Sequence, residues 1–258
     1  MTKKMVFFDL DGTLVDSNKK ISETTKQALS SLQKNGIIPV IATGRPPYMF
    51  ESIREELNIH NFVSTNGQYV IYEDEVIYED FLDRDLIDEL VKDASARGHN
   101  VAFFNTETFK ETFIKHSSDN EKVKSFYDTT PLIDHTFHLQ ETIHQALLLC
   151  KEDEESYYKS AYPHFEFIRW GDEAMDILPK GGSKARGIHT LLNKLNIKIE
   201  NTYAFGDGLN DVAMFELVGN GIAMYNGRDE LKKVASHITT SCDDDGIING
   251  LKHYKLIG

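Results

Sequence analysis

Apolar positions at the amino terminus come as one short unbroken run, KKMVFF, which predicts a strand buried on both faces. The next segment, SETTKQALSSLQKNG, changes period. Ala28, Leu29 and Leu32 share one helical face, Ser22 stands where an N-cap belongs, and Gly36 marks the stop. IIPVIAT predicts a second strand, in which Pro39 removes a ladder donor and so makes the early part an edge or irregular. RPPYMFESIREEL predicts a helix with Pro46 or Pro47 in its first turn, and NFVST a third strand ending at the turn pair Asn66-Gly67. QYVIYEDEVIYEDF alternates around an acidic turn like a hairpin.

From about Leu82 the rhythm loosens. A helix over DRDLIDELVKDASARG precedes NVAFF, and signals are weak from Asn105 to His138. QALLLC, DEESYYKSAY, FEFIRW and AMDILP then complete a mixed segment ending near KGGSK. Helix SKARGIHTLLNKLN, strand TYAFGD, helix NDVAMFELVG, strand GIAM, helix DELKKVA, strand HITTS and helix GIINGLKHYK follow in strict alternation. Alternation at both ends predicts an α/β fold: a doubly wound, parallel-sheet, Rossmann-like core built from residues 1–81 and 181–258, with an α+β domain inserted over residues 82–180. Phe103, Phe104, Phe109, Phe113 and Trp170 read as core of that insert, with room for one or two to line a substrate pocket.

Composition narrows the chemistry. A length of 258 residues suits two lobes, and 40% hydrophobic residues supply their cores. The formal net charge of -13 argues against nucleic acid or an anionic membrane as partner, so any anionic substrate must be held by local cations. Asp9 interrupts the amino-terminal apolar run too early for a signal peptide or membrane span. Cys150 and Cys242, the only cysteines, show no metal-ligand spacing and suit a reducing cytoplasm.

Against that background VFFDLDGTLVD stands out. Side chains two apart on a strand share a face, so Asp9 and Asp11 leave the first strand pointing the same way, and their repulsion calls for a cation. Ligands of open parallel sheets bind beyond the carboxyl ends of the strands, where both aspartates fall. A solvated turn would also explain DxDG in isolation. Three further strand ends add to it. VIATGR places Thr43 either as a helix cap or as a phosphate ligand. TYAFGDGLND follows a buried run with Asp207, Asn210 and Asp211 among glycines. Lys184 in GGSKARG heads a helix, where the dipole disfavours a cation unless a charge partner is present. GxGxxG, GxxxxGK[ST] and EF-hand templates all fail letter by letter, and His135, His138 and His144 read as surface histidines of the insert rather than a zinc site.

In order and spacing, DLDGTL, ATGR, GGSK and GDGLND resemble the motifs of the haloacid dehalogenase superfamily of phosphotransferases, and more narrowly its Cof-type sugar-phosphatase group, whose cap is inserted after the second motif. The resemblance spans essentially the whole chain, although the insert carries no motif that matches residue by residue. It implies a phosphatase acting on small phosphorylated molecules: sugar phosphates, nucleotides or phosphorylated cofactors. Asp9 would be the nucleophile and Asp11 the general acid and base. Mg²⁺ would be held by Asp9, the Asp11 carbonyl and Asp207. Thr43, Gly44, Lys184 and Asn210 would hold the phosphoryl oxygens, and Asp211 would orient Lys184 or metal-bound water. Arg45 would reach either a substrate anion or an insert carboxylate, or stay a surface arginine, and Asn66, which faces the expected cleft from a strand end, reads first as a turn former. The insert would close over the cleft and select the leaving group, in a monomer or homodimer. Two rivals keep similar residues: a phosphosugar mutase of the same superfamily, and a receiver-like phosphoacceptor module, which is about half this length and needs no acid two residues beyond its nucleophile.

Overall fold

Strand β1 (Met5–Phe8) shows why the first run is unbroken: all four residues are fully buried, and they alternate between two cores. Val6 and Phe8 point into one, Met5 and Phe7 into the other, and burying each phenylalanine contributes about 1.5–3 kcal/mol. The computed structural model describes residues 3–112 and 132–258, and Phe113 lies outside them. The chain divides into one unit of Met1–Gly44, Phe50–Tyr78 and Ser183–Gly258 and a second of Arg45–Met49 and Glu79–Gly182. The sequence pattern sets the insert at residues 82–180, whereas the second unit runs from Glu79 to Gly182 and also takes in Arg45–Met49.

The first unit carries α1 (Glu23–Lys34), β2 (Ile38–Ala42), α2 (Glu51–Leu57), β3 (Phe62–Ser64), β4 (Tyr69–Tyr72) and β5 (Glu75–Glu79, its last residue in the second unit). After the insertion come α6 (Lys184–Leu195), β12 (Thr202–Gly206), α7 (Val212–Leu217), β13 (Asn220–Ala223), α8 (Asp229–Val234), β14 (His237–Ile238) and α9 (Gly246–His253). Its sheet runs β14-β13-β12-β1-β2-β3-β4-β5, parallel as far as β3, with the β3–β4 pair antiparallel. Leu29 and Leu32 of α1 and Ile247 and Leu251 of α9 pack on the Phe8 face. Ile188 and Leu191 of α6 and Met214 of α7 pack on the Phe7 face, so the sheet is doubly wound.

Pro39 sits where its missing donor costs nothing. Ile38 donates to Lys4 on the β1 side, whereas Ile41 and Thr43 donate to Asn61 and Val63 on the β3 side, and pairing with β3 begins only at Ile41. The Pro39 nitrogen therefore faces the β3 side before β3 starts. Between β4 and β5, Glu73 and Asp74 both have positive φ, 50° and 62°, the two-residue turn whose twist suits a hairpin.

The single helix expected over RPPYMFESIREEL is instead a short 3-10 turn, Pro47–Met49, and a separate α2. Phe50 breaks the run at φ −134° because its fully buried ring plugs the first core edge-on to Phe62. Tyr48 and Met49 pack instead in the second unit.

That second unit holds α3 (Arg84–Arg97), β6 (Asn100–Phe104), β7 (Phe109–Glu111), β8 (Leu132–Ile133), α4 (Phe137–Gln140), β9 (Gln145–Leu149), α5 (Glu152–Ala161), β10 (Phe165–Gly171) and β11 (Ala174–Pro179). Its sheet runs β10-β11-β9-β6-β7-β8 and is antiparallel except for β7–β8. Asp83 caps α3 by accepting from the Asp85 and Leu86 amides, and Gly98 ends it at φ 79°. Phe103 packs under α3, Phe104 and Phe109 lie on the opposite face, and half-buried Trp170 packs against them with its indole N–H donating to Asp176 at 3.0 Å. Two of the three histidines expected at the surface are buried. His138 stacks on Phe103 and pairs with Asp88 at 3.2 Å, and His144 pairs with Glu79 at 2.9 Å, while His135 is exposed. Partners 50 and 65 residues away in sequence offset the cost of burying these polar rings.

Candidate active site

Parallel register brings the strand ends to one rim. Phe8 lies beside Ile41 of β2 and Phe205 of β12, so the next residues, Asp9 and those before Thr43 and Asp207, leave the sheet together. Asp9 still donates its amide to the Phe205 carbonyl at 3.0 Å, and only 7% of the residue is exposed. The chain then folds into a tight loop, Val15 donating to Leu10 at 2.8 Å and Gly12 to Val15 at 3.1 Å, with Asp11 exposed. Gly12 has φ 73°, and a Cβ there would lie 2.5 Å from an Asp207 carboxylate oxygen, so this loop can approach Asp207 only through a glycine. Thr13 donates its hydroxyl to Asp207 at 3.1 Å.

Lys184 opens α6, with Ser183 as its cap. It is fully buried at the helix end that repels cations, and two carboxylates reverse that penalty: its ammonium donates to Asp9 at 2.5 Å and to Asp211 at 2.7 Å. Burial works to lower the lysine pKa, but the attraction of Asp211 and Asp9 outweighs it and raises the value. The other oxygen of Asp211 accepts from the Asp207 and Gly208 amides, each at 3.0 Å, which ties the second acidic loop to the same lysine.

Burial raises the Asp9 carboxyl well above the usual range despite the pull of Lys184, with Asp211, Asp207 and Asp11 adding to the rise. Burial and Asp211 push Asp207 up to about 7, against the Thr13 hydrogen bond and Lys184. Ligand atoms from Asp9, Asp207 and Asp211 lie within 4.8 Å of one another. Carboxylates crowded until they resist ionising are a donor set that suits a hard divalent cation, and the residues present fit one. The Asp11 carboxylate is not part of that cluster.

Beside it, Thr43 is buried, donates its amide to Val63 at 2.9 Å and accepts from the Asn66 amide at 3.1 Å. The Asn210 carboxamide donates to Asn66 at 3.2 Å, and a Cβ on Gly44 would stand 3.1 Å from the Asn66 amide nitrogen. Asp9, Lys184, Asp207 and Asp211 are thus joined directly, and Gly44 and Asn210 are joined through Asn66. Arg45 belongs to the second unit, where its guanidinium donates to the Met49 carbonyl at 3.4 Å. The sequence places Asn66 at the cleft-facing end of a strand but reads it first as a turn former, and it gives Thr13 no role. The threonine next to a loop glycine that must face a carboxylate was the available signal.

A family profile described as haloacid dehalogenase-like hydrolase matches residues 6–251. The chain belongs to that family. It is 42% identical over 257 residues to YkrA of Bacillus subtilis (strain 168), a candidate phosphatase by name, with both chains covered in full. It is 29% identical over 264 residues to the 5-amino-6-(5-phospho-D-ribitylamino)uracil phosphatase YitU of the same organism, covering 97% of each chain. Among solved structures, the HAD subclass IIB sugar phosphatase BT4131 superposes with a TM-score of 0.89 at 29% identity, over 99% of this chain and 100% of that one. No helix among the described residues is long and apolar enough to cross a membrane.

Proposed function

We propose that this hydrolase is an Mg²⁺-dependent phosphatase of small phosphorylated molecules that works through an aspartyl-phosphate on Asp9. Family membership and phosphatase relatives make it a phosphoric monoester hydrolase. The observation that carries the finer reading is Lys184, fully buried between Asp9 and Asp211 beside Asp207. Such a lysine holds one carboxylate as a nucleophile while leaving its ammonium positioned for a phosphoryl oxygen.

Asp9, Asp207 and the Asp11 carbonyl would hold Mg²⁺, which when bound neutralises the charge that otherwise keeps these carboxyls from ionising. An oxygen of Asp9 bonds to phosphorus as the ester oxygen leaves, and Asp11 gives that oxygen its proton. Asp11 then takes a proton from water, which attacks phosphorus, breaks the acyl-phosphate bond and regenerates Asp9. Lys184, Thr43, the Gly44 amide and Asn210 hold the phosphoryl oxygens, and Asp211 fixes Lys184. Sugar phosphates and 5-amino-6-(5-phospho-D-ribitylamino)uracil, the substrates named for two relatives, lead the panel to be tried. The test is phosphate release from such a panel with and without Mg²⁺. Many turnovers per protein support the reading; a single labelling event would favour a phosphoacceptor module, and isomerised sugar phosphate without free phosphate a mutase.

A further inference from the structure

The loop joining β3 to β4 is far more constrained than its position requires. Thr65, Asn66 and Gly67 take three consecutive positive φ values, 47°, 49° and 95°. Thr65 is β-branched, for which that region is an outlier, while Asn66 is of the side-chain type that enters it more readily. All three are buried, and the Thr65 hydroxyl, on a fully buried residue, has no hydrogen-bond partner. The turn at Glu73-Asp74 one strand later also takes positive φ at both positions, 50° and 62°, but both of its residues are exposed, so an antiparallel connection does not require the burial seen at Thr65-Asn66-Gly67. Backbone strain persists where surrounding contacts over-determine it.

Those contacts run to three segments of the site. The Asn66 amide donates to the Thr43 carbonyl at 3.1 Å, and its carboxamide fills the space that a side chain on Gly44 would need, 3.1 Å from the nitrogen and 3.2 Å from the oxygen. The same carboxamide oxygen accepts from Asn210 at 3.2 Å, and the Asn66 carbonyl accepts from Gln68 at 2.9 Å. Gly67 abuts the start of α6: a Cβ on it would lie 2.1 Å from the Ser183 carbonyl oxygen, immediately before Lys184.

We infer that Asn66 is a positioning residue for phosphoryl binding, its carboxamide fixing the spacing between the Thr43-Gly44 turn and Asn210. This rests on the phosphatase reading above. A mere turn former would need only the backbone of Asn66, and glycine would serve as well there. Asn66→Gly therefore separates the two roles, because it relaxes the positive φ and keeps the amide bond to Thr43 while deleting the carboxamide.

The experiment measures steady-state hydrolysis of a phosphomonoester together with calorimetric binding of orthovanadate, which needs no turnover, on the full chain with Mg²⁺. Asn66→Gly is expected to lower kcat/KM and vanadate affinity together by roughly 10–100-fold, with the Mg²⁺ concentration for half-activation and the Tm close to wild type. In an Asn210→Ala background the same change is expected to cost less than about threefold, because the carboxamide has lost the partner it positions. Asn66→Asp, which keeps the size and the acceptor but adds charge, is the second variant and is expected to bind vanadate more weakly still. Wild-type vanadate affinity in both variants, or a full additive loss in the Asn210→Ala background, overturns the inference. A wild-type protein that neither binds vanadate nor releases phosphate overturns the phosphatase reading itself, and the inference with it.

Discussion

Replacing Lys184 with methionine keeps the length of the side chain and removes its charge, so it isolates the electrostatic role of the lysine that pairs with Asp9 and Asp211. The ammonium is fully buried and lies 2.5 and 2.7 Å from oxygens of Asp9 and Asp211. Methionine fills most of the same volume, so the cavity contribution is small. What remains are two buried carboxylates facing each other without a counter-ion, and removing one partner of a buried ion pair typically costs about 3–5 kcal/mol. That is a large share of a net stability of roughly 5–15 kcal/mol. The loss has a sign in pH. A carboxyl whose folded pKa is raised contributes stability below its unfolded pKa and loses it as pH rises through the folded value, and removing the lysine raises the Asp9 pKa further. Lys184→Met is therefore expected to lose about 3–5 kcal/mol at pH 8 in EDTA and clearly less at pH 5.5, where a proton replaces the ammonium. Chemical denaturation followed by circular dichroism at the two pH values measures both. A loss under about 1 kcal/mol at pH 8, or the same loss at both pH values, would refute the reasoning.

Three other outcomes follow from the same geometry. Gly12→Ala combines φ 73° with a Cβ 2.5 Å from the Asp207 carboxylate; the Mg²⁺ concentration for half-maximal activity is expected to rise roughly tenfold or more, and an unchanged titration would show that Gly12 does not set the Asp207 position. Gly67→Ala places a Cβ 2.1 Å from the Ser183 carbonyl and is expected to cost about 2–4 kcal/mol in denaturation, with a neutral result showing that the loop and helix start can separate freely. In metal-free wild type, Asp207 raised to about 7 and Asp9 raised above its usual range make stability fall as pH climbs from 5 to 8, by about 2–4 kcal/mol. Mg²⁺ should restore it most at the alkaline end, and thermal melts with EDTA or Mg²⁺ across that range check the sign.

Much of the rim was legible because its logic is local. Asp9 at the end of a buried run, a second acidic loop directly after YAF and a lysine at the wrong end of a helix each state an unmet electrostatic need, and the fold meets them with one another, whereas the Asp11 carboxylate, expected on the same face as Asp9, is exposed and lies outside that cluster. The alternation of strands and helices likewise carried the doubly wound sheet. What stayed hidden depends on distant partners. Asn66-Gly67 reads as any turn until the carboxamide is seen against Gly44 and Asn210. Arg45–Met49 reads as the start of a helix until Phe50 is needed in one core and Tyr48 and Met49 in another. His138 and His144 look like surface residues because Asp88 and Glu79, which make their burial tolerable, lie far away in sequence.

The covalent role of Asp9 is tested most directly by trapping. Asp11→Asn, mixed with a turned-over phosphomonoester and Mg²⁺, quenched in acid and digested, is expected to show one phosphoryl group on the peptide carrying Asp9, and Asp9→Asn to show none while remaining folded. Label on another residue, or turnover by Asp9→Asn at the wild-type rate, would contradict it.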